Sequence, residues 1–152
     1  MTRRQIELPE LGVIGVDPGR ASGCIAYVAG CDAYAWPIKN MTDRQIWDLL
    51  ERLGKIAQLA VLERVHSMPK QGVSSAFKFG ASYGELKMGL VASGVRFEQV
   101  SPQKWQTKLG CRTKGDKNVS RMKAEELFPG FKMTHDKADA LLIAEYGRRN
   151  LI

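Results

Sequence analysis

The sequence predicts a mixed α/β domain: a five-stranded sheet with helices on both faces. Three observations carry this. An alternating run, "VIGVD" (13–17), is followed by two short apolar runs around a tight turn, the pattern of a strand with a hairpin added to it. A segment of helical period then leads into another apolar run, and a strand–helix–strand crossover implies a parallel neighbour. Finally, 152 residues with 44% hydrophobic content suit one compact domain with a real core and leave little room for a second.

In "VIGVD", Val13, Gly15 and Asp17 share one face, and Ile14 and Val16 the other. "GCIAYVAG" (23–30) and "AYAWPI" (33–38) read as the hairpin strands around Gly30-Cys31-Asp32. Thr42 is the expected N-cap of "DRQIWDLLERLG" (43–54), in which Ile46, Leu49, Leu50 and Leu53 recur at helical spacing. "QLAVLERV" (58–65) is the fourth strand, and "HSMPKQG" a loop. A long helix is expected over 73–93, carrying Phe77, Tyr83, Leu86 and Leu90. Its Gly80, Gly84 and Gly89 weaken it intrinsically and suggest close packing, within the fold or across a dimer. "VRFEQVS" (95–101) is the fifth strand, and Ser101-Pro102 opens a further helix. "CRTKGDKN" reads as a basic loop, residues 119–127 as a helix, "FPGF" as a break and "HDKADALLIAEYGRR" (135–149) as the last helix. The domain spans 1–152, with 1–10 expected to be flexible.

Lys and Arg number 23 against 16 Asp and Glu, a net charge of +7. That surplus favours a polyanionic partner, nucleic acid before an anionic membrane, with plain solubility as the simpler alternative. Three cysteines without a CxxC pair disfavour a disulfide framework and a zinc site, and point to a reducing compartment. No apolar run reaches the roughly 18 residues of a membrane span. "MTRRQIELPE" lacks the apolar stretch of a secretory signal, so a cytoplasmic protein is expected, in a bacterial cell or a phage-infected host.

Four acids stand out. Asp17 and Glu63 sit at the carboxyl ends of two strands, where ligands of open α/β sheets gather. Asp136 and Asp139 lie three apart at the start of the last helix and so share a face. Carboxylates brought this close repel unless a cation holds them, and hard oxygen donors suit Mg²⁺ or Mn²⁺. Two such ions can drive phosphodiester hydrolysis, so a basic chain with this acid set is a nuclease candidate. Each acid also has a plainer reading: Asp17 as a turn former, Glu63 as the partner of an Arg, Asp136 and Asp139 as an N-cap and its N3 partner.

"IGVDPGRASGCIAY", "LAVLERVHSMPKQGVSSAFKFGASYG" and "HDKADALLIAEYG", in that order, resemble the RuvC family of Holliday-junction resolvases over about residues 12–146. The "MPKQG" loop and "LVASGVRFEQVSPQKWQ" look closest to the branch with the chloroplast junction resolvases. The resemblance implies an RNase H-like fold, a homodimer, and paired nicking of a four-way DNA junction with two Mg²⁺ per site, Mn²⁺ substituting. It puts the metal ligands at Asp17, Glu63, Asp139 and Asp136, with His135 as rival fourth ligand or neighbouring donor. His66 stands where the family has a base-stacking aromatic residue. Lys104, Lys108, Lys114 and Lys117 occupy the stretch from which the family draws a lysine near the scissile phosphate. Lys70 and Lys78 are further candidate DNA contacts, and Arg20 and Ser22 lie in the turn after Asp17. A related nuclease acting on RNA or other branched DNA, and a non-catalytic junction-binding protein, are the alternatives. A sugar-kinase or actin-like ATPase would need the domain twice.

Overall fold

A computed structural model describes residues 6–152; residues 1–5, half of the segment expected to be flexible, lie outside the described residues. Strands β1 (Gly12–Asp17), β2 (Cys24–Ala29) and β3 (Asp32–Pro37) form the expected antiparallel meander. Gly30 makes the tight turn between β2 and β3 with φ 58°, a conformation open to glycine at little cost. Helix α1 (Asp43–Gly54) starts where Thr42 and Gln45 exchange hydrogen bonds: the Thr42 hydroxyl accepts from Gln45 N–H, and Gln45 Oε1 from Thr42 N–H. That reciprocal cap satisfies two otherwise orphaned donors.

The chain then crosses to β4 (Ala57–Glu63), which lies parallel to β1 on the side away from β2. Helix α2 (Val73–Ser93) and β5 (Phe97–Val100) follow, giving the order β3-β2-β1-β4-β5. Helices α3 (Pro102–Leu109), α4 (Lys117–Leu127) and α5 (His135–Asn150) complete the fold. The alternation of the strands divides the core. Ile14, Val16, Ala60 and Leu62 face α1 and α2, packing with Ile46, Leu50, Leu53, Leu86 and Leu90. Val13, Leu59 and Val61 face α3, α4 and α5, packing with Trp105, Leu141 and Ala144. Of the glycines on α2, Gly89 abuts Leu50 of α1, whereas Gly80 and Gly84 face open space.

One helix start differs from the sequence reading, and at another the start is as expected but the plainer account of two acids falls. Helix α4 begins at Lys117, not 119, because Asp116 Oδ1 accepts the Asn118 N–H at 3.0 Å and caps the helix there. Thr134 is the N-cap of α5, so Asp136 and Asp139 are not a cap and its N3 partner. From Ile6 onward the N-terminal segment touches the fold at several points. Leu8 packs on the α1/α2 core, and the Tyr27 hydroxyl accepts from Gly12 N–H (2.9 Å) while donating to Pro9 O (2.5 Å). Among the described residues no helix is long and apolar enough to cross a membrane.

Helix α5 lies closer to the sheet than side chains normally permit. A Cβ on Gly15 would fall 2.1 Å from the Ala140 carbonyl oxygen and 2.6 Å from the Ala144 nitrogen. At the far end of α5, Glu145 is almost wholly buried and held by Arg148 (2.8 Å) and Arg149 (2.6 Å). Burial works to raise the Glu145 pKa, but the two guanidiniums outweigh it and keep the carboxyl below its usual value. Arg148 also donates to Gly30 O at 3.1 Å, which ties the helix end to the β2–β3 turn.

Gly15→Ala is therefore expected to lift α5 from β1 at a cost of about 1–3 kcal/mol, the usual size of an overpacking penalty. Urea unfolding checks it, and an unchanged midpoint would mean that the helix has room to spare.

Candidate active site

β1 is where the strand order switches: from it the chain goes to β2 and β3 on one side, then from β3 through α1 to β4 on the other. Ligand sites of open α/β sheets lie beyond the strand ends at such a point. Asp17 ends β1 and Glu63 ends β4, and the parallel register places Val16 opposite Leu62, so the two acids leave the sheet side by side. Asp139 joins them because α5 runs against β1, with its neighbour Ala140 in contact range of Gly15.

The electrostatics reflect this crowding. Burial first, then the charges of Glu63 and Asp139, push the Asp17 carboxyl well above its ordinary pKa; Lys117 pulls the other way, and Asp136 adds a smaller push. Glu63 is raised to about 7, by burial and by Asp139, against the effect of a hydrogen bond from the Trp105 indole. Burial also raises Asp139, while Ser120, Lys117 and His135 favour its anion. The plainer readings of Glu63 and of the Asp136–Asp139 pair do not hold. Glu63 pairs with no Arg among the described residues; its Oε2 accepts from Trp105 Nε1–H at 2.7 Å. Asp139 Oδ1 is buried with no hydrogen-bond partner.

An orphaned buried carboxylate oxygen beside two further acids is the arrangement a hard cation would satisfy. All the donors are oxygen, which fits Mg²⁺ or Mn²⁺. The acids are neighbours and not a closed ligand set: among the described residues, no three such side chains are grouped tightly enough to hold an ion as they stand. Asp136 and His135 both lie at the rim, Asp136 acting on Asp17 and the exposed His135 on Asp139.

Of the four lysines in the basic stretch, Lys117 is the one whose charge reaches both Asp17 and Asp139. Its place on α4, one turn before Ser120, explains this, and the earlier helix start made it hard to see in the sequence. Lys104, Lys108 and Lys114 are exposed and do not act on the acids. His66 and Lys70 are exposed in the loop after β4, with Lys70 at φ 66°. Lys78 lines a small cleft with Ser22, Ser75 and Phe79 between the post-β1 turn and α2. Arg20 is occupied: it pairs with Asp43 and donates to Met41 O at 2.9 Å, pinning that turn to the start of α1. Trp105 and Ser120 were missed. A tryptophan just after a strand signals a buried indole in need of an acceptor, but its sequence position does not say which one.

No protein-family model and no curated protein matches this sequence. Among solved structures the chain is similar to that of Thermus thermophilus RuvC, with a TM-score of 0.66 and 16% identity over 91% of this chain and 96% of that one. It is also similar to T. thermophilus RuvC in complex with a Holliday junction substrate, with a TM-score of 0.65 and 18% identity over 92% and 96% of the two chains. The fold is the RNase H-like fold of RuvC. The shared architecture spans nearly the whole of both chains, while the low identity leaves the chemistry to be argued from the residues themselves.

The raised carboxyl pKa values carry a sign. In chelator, the folded chain holds protons that the unfolded chain has released, so stability is fullest below the ordinary carboxylate range. It falls as the pH rises from about 4.5 through about 7. Asp17→Asn removes one of the repelling charges and should raise stability near pH 7.5 by on the order of 2 kcal/mol. It should also flatten the decline between pH 5 and 8. Denaturation at several pH values checks this; a variant less stable than the parent at pH 7.5 would show that the acids are not in conflict.

Proposed function

We propose that this protein is a structure-selective DNA endonuclease that resolves four-way junctions, acting as a homodimer with divalent cations. The observation that carries the reading is the convergence of Asp17, Glu63 and Asp139 from two strand ends and a helix, with Asp139 Oδ1 buried and unpartnered. The likeness to a structure of RuvC with its Holliday junction substrate supports the choice of substrate.

Asp17, Glu63 and Asp139 would hold the cations, with Asp136 as the fourth ligand. When bound, Mg²⁺ supplies charge stabilisation for the attacking and leaving oxygens of phosphodiester hydrolysis. The chain's own residues do the rest. Lys117 supplies a positive charge beside the acids, suited to a phosphate oxygen that gains charge during cleavage. Lys70, Lys78, Lys104, Lys108 and Lys114 are exposed and add phosphate contacts over a wider footprint. His66, exposed three residues past Glu63, offers a ring that can stack on an unpaired base. Self-association is supported by α2, where Val73, Phe77, Met88 and Val91 are exposed and Gly80 and Gly84 face open space.

Purified protein should cut a synthetic four-way junction in Mg²⁺, leaving paired nicks that ligase reseals. Equal cutting of linear duplex, or preference for an RNA strand, would sink the junction assignment and favour a general RNase H-like nuclease. Asp17→Asn should abolish cleavage and retain junction binding in chelator, because the phosphate contacts lie outside the acid cluster. Lys117→Ala should slow cleavage by on the order of 10²-fold. A Lys117 variant with weakened binding and an unchanged single-turnover rate would make that lysine a mere phosphate contact.

A further inference from the structure

Glu63 is positioned from the β5–α3 junction. β5 runs beside β4 with Val100 opposite Glu63, and the following Arg64 N–H donates to Val100 O at 2.7 Å. The very next residue after Val100, Ser101, caps α3, and Pro102 takes the first helical position. This leaves no slack between the strand and the helix. Trp105, one turn into α3, is fully buried in the same core as Leu109, Cys111, Ala138 and Leu142. Its ring orientation is set by that packing, and its Nε1–H donates to Glu63 Oε2 at 2.7 Å.

The choice of donor matters. A glutamate side chain has several rotatable bonds, and ordering it at the moment of cation binding costs conformational entropy. A donor that orders it beforehand removes that cost. Arg or Lys could order it too, but each would cancel the negative charge a cation needs. The indole N–H donates without ever carrying a charge. Glu63 has a second oxygen, Oε1, with no hydrogen-bond partner among the described residues.

We propose that Trp105 is a positioning residue: its buried indole N–H holds Glu63 Oε2 and so leaves Oε1 oriented as the donor to a divalent cation. The inference rests on the cation-dependent reading given above. Groups that orient metal-binding carboxylates in this way characteristically govern affinity by one to two orders of magnitude.

The test is calorimetric titration of the full chain with Mn²⁺, paired with junction binding in chelator. Trp105→Phe keeps an aromatic ring and loses the donor; it should weaken Mn²⁺ binding by about 10–100-fold and leave junction affinity in chelator unchanged. Raising Mn²⁺ should restore much of its cleavage rate. In a Glu63→Gln background the same change should add no further loss, since the two residues act as one unit. An unaltered Mn²⁺ affinity in Trp105→Phe, or a fully additive loss in the double variant, would overturn the assignment.

Because Trp105 is also core, a second measurement leaves it in place. The chain has three tryptophans, so the Trp36→Phe, Trp47→Phe double variant reports on Trp105 alone. Its emission should shift on Mg²⁺ titration, and the shift should vanish with Glu63→Gln. Silent emission while calorimetry records binding would refute the coupling. A parent chain that binds no Mn²⁺ and cuts no junction would instead bring down the functional reading on which the inference rests.

Discussion

The close approach of α5 to β1 is the constraint from which the site follows. Gly15 lets the Ala140 carbonyl and the Ala144 nitrogen rest where a side chain would stand, and Gly147 does the same beside Val61 and Val13. A helix laid directly on a strand has little freedom to slide, since a shift would drive a Cβ into backbone. That fixed separation brings Asp139 to the end of β1, beside Asp17. The neighbouring register of β1 and β4 adds Glu63 by the same logic, since a one-residue slip would turn it to the opposite face.

The arrangement places stability and function in opposition. Burial raises all three acids, Glu63 and Asp139 raise Asp17 further, Asp139 raises Glu63, and Lys117 is the cation that offsets this at both Asp17 and Asp139. The contrast with Glu145 is instructive. It is the more deeply buried acid, but two arginines close on it and its charge is fully compensated. The fold can therefore satisfy a buried carboxylate with paired arginines, and at the strand ends it does not. Strain of this kind belongs to a site meant to receive something.

Much of this was legible in the residues. A short apolar run ending on an acid marked both strand ends, and Thr42 marked the start of α1 to the residue. The full length of α2 was readable despite its glycines, because Gly94 adopts φ 75° and stops it where the apolar spacing stops. What escaped were choices between near-equal local options. Asp136 could be read as the cap that Thr134 provides, and Asp116 competed with a loop reading across "CRTKGDKN". Both errors fell beside the site: the first supplied the plainer account of Asp139, and the second hid the turn that aims Lys117. Trp105 escaped for another reason. Sequence names a donor, but its acceptor lay 42 residues away and depended on the pairing of β4 with β5.

Asp17 and Glu63 come from the first and fourth strands, whereas Asp139 belongs to the last helix, which also supplies much of one core layer. During synthesis, then, the first two acids leave the ribosome well ahead of the third. A nascent chain has neither the third carboxylate nor the packing that would bring it in, so the three acids meet only when the final helix docks. The order of the elements thus makes the site a late product of folding, assembled by the segment that is synthesised last.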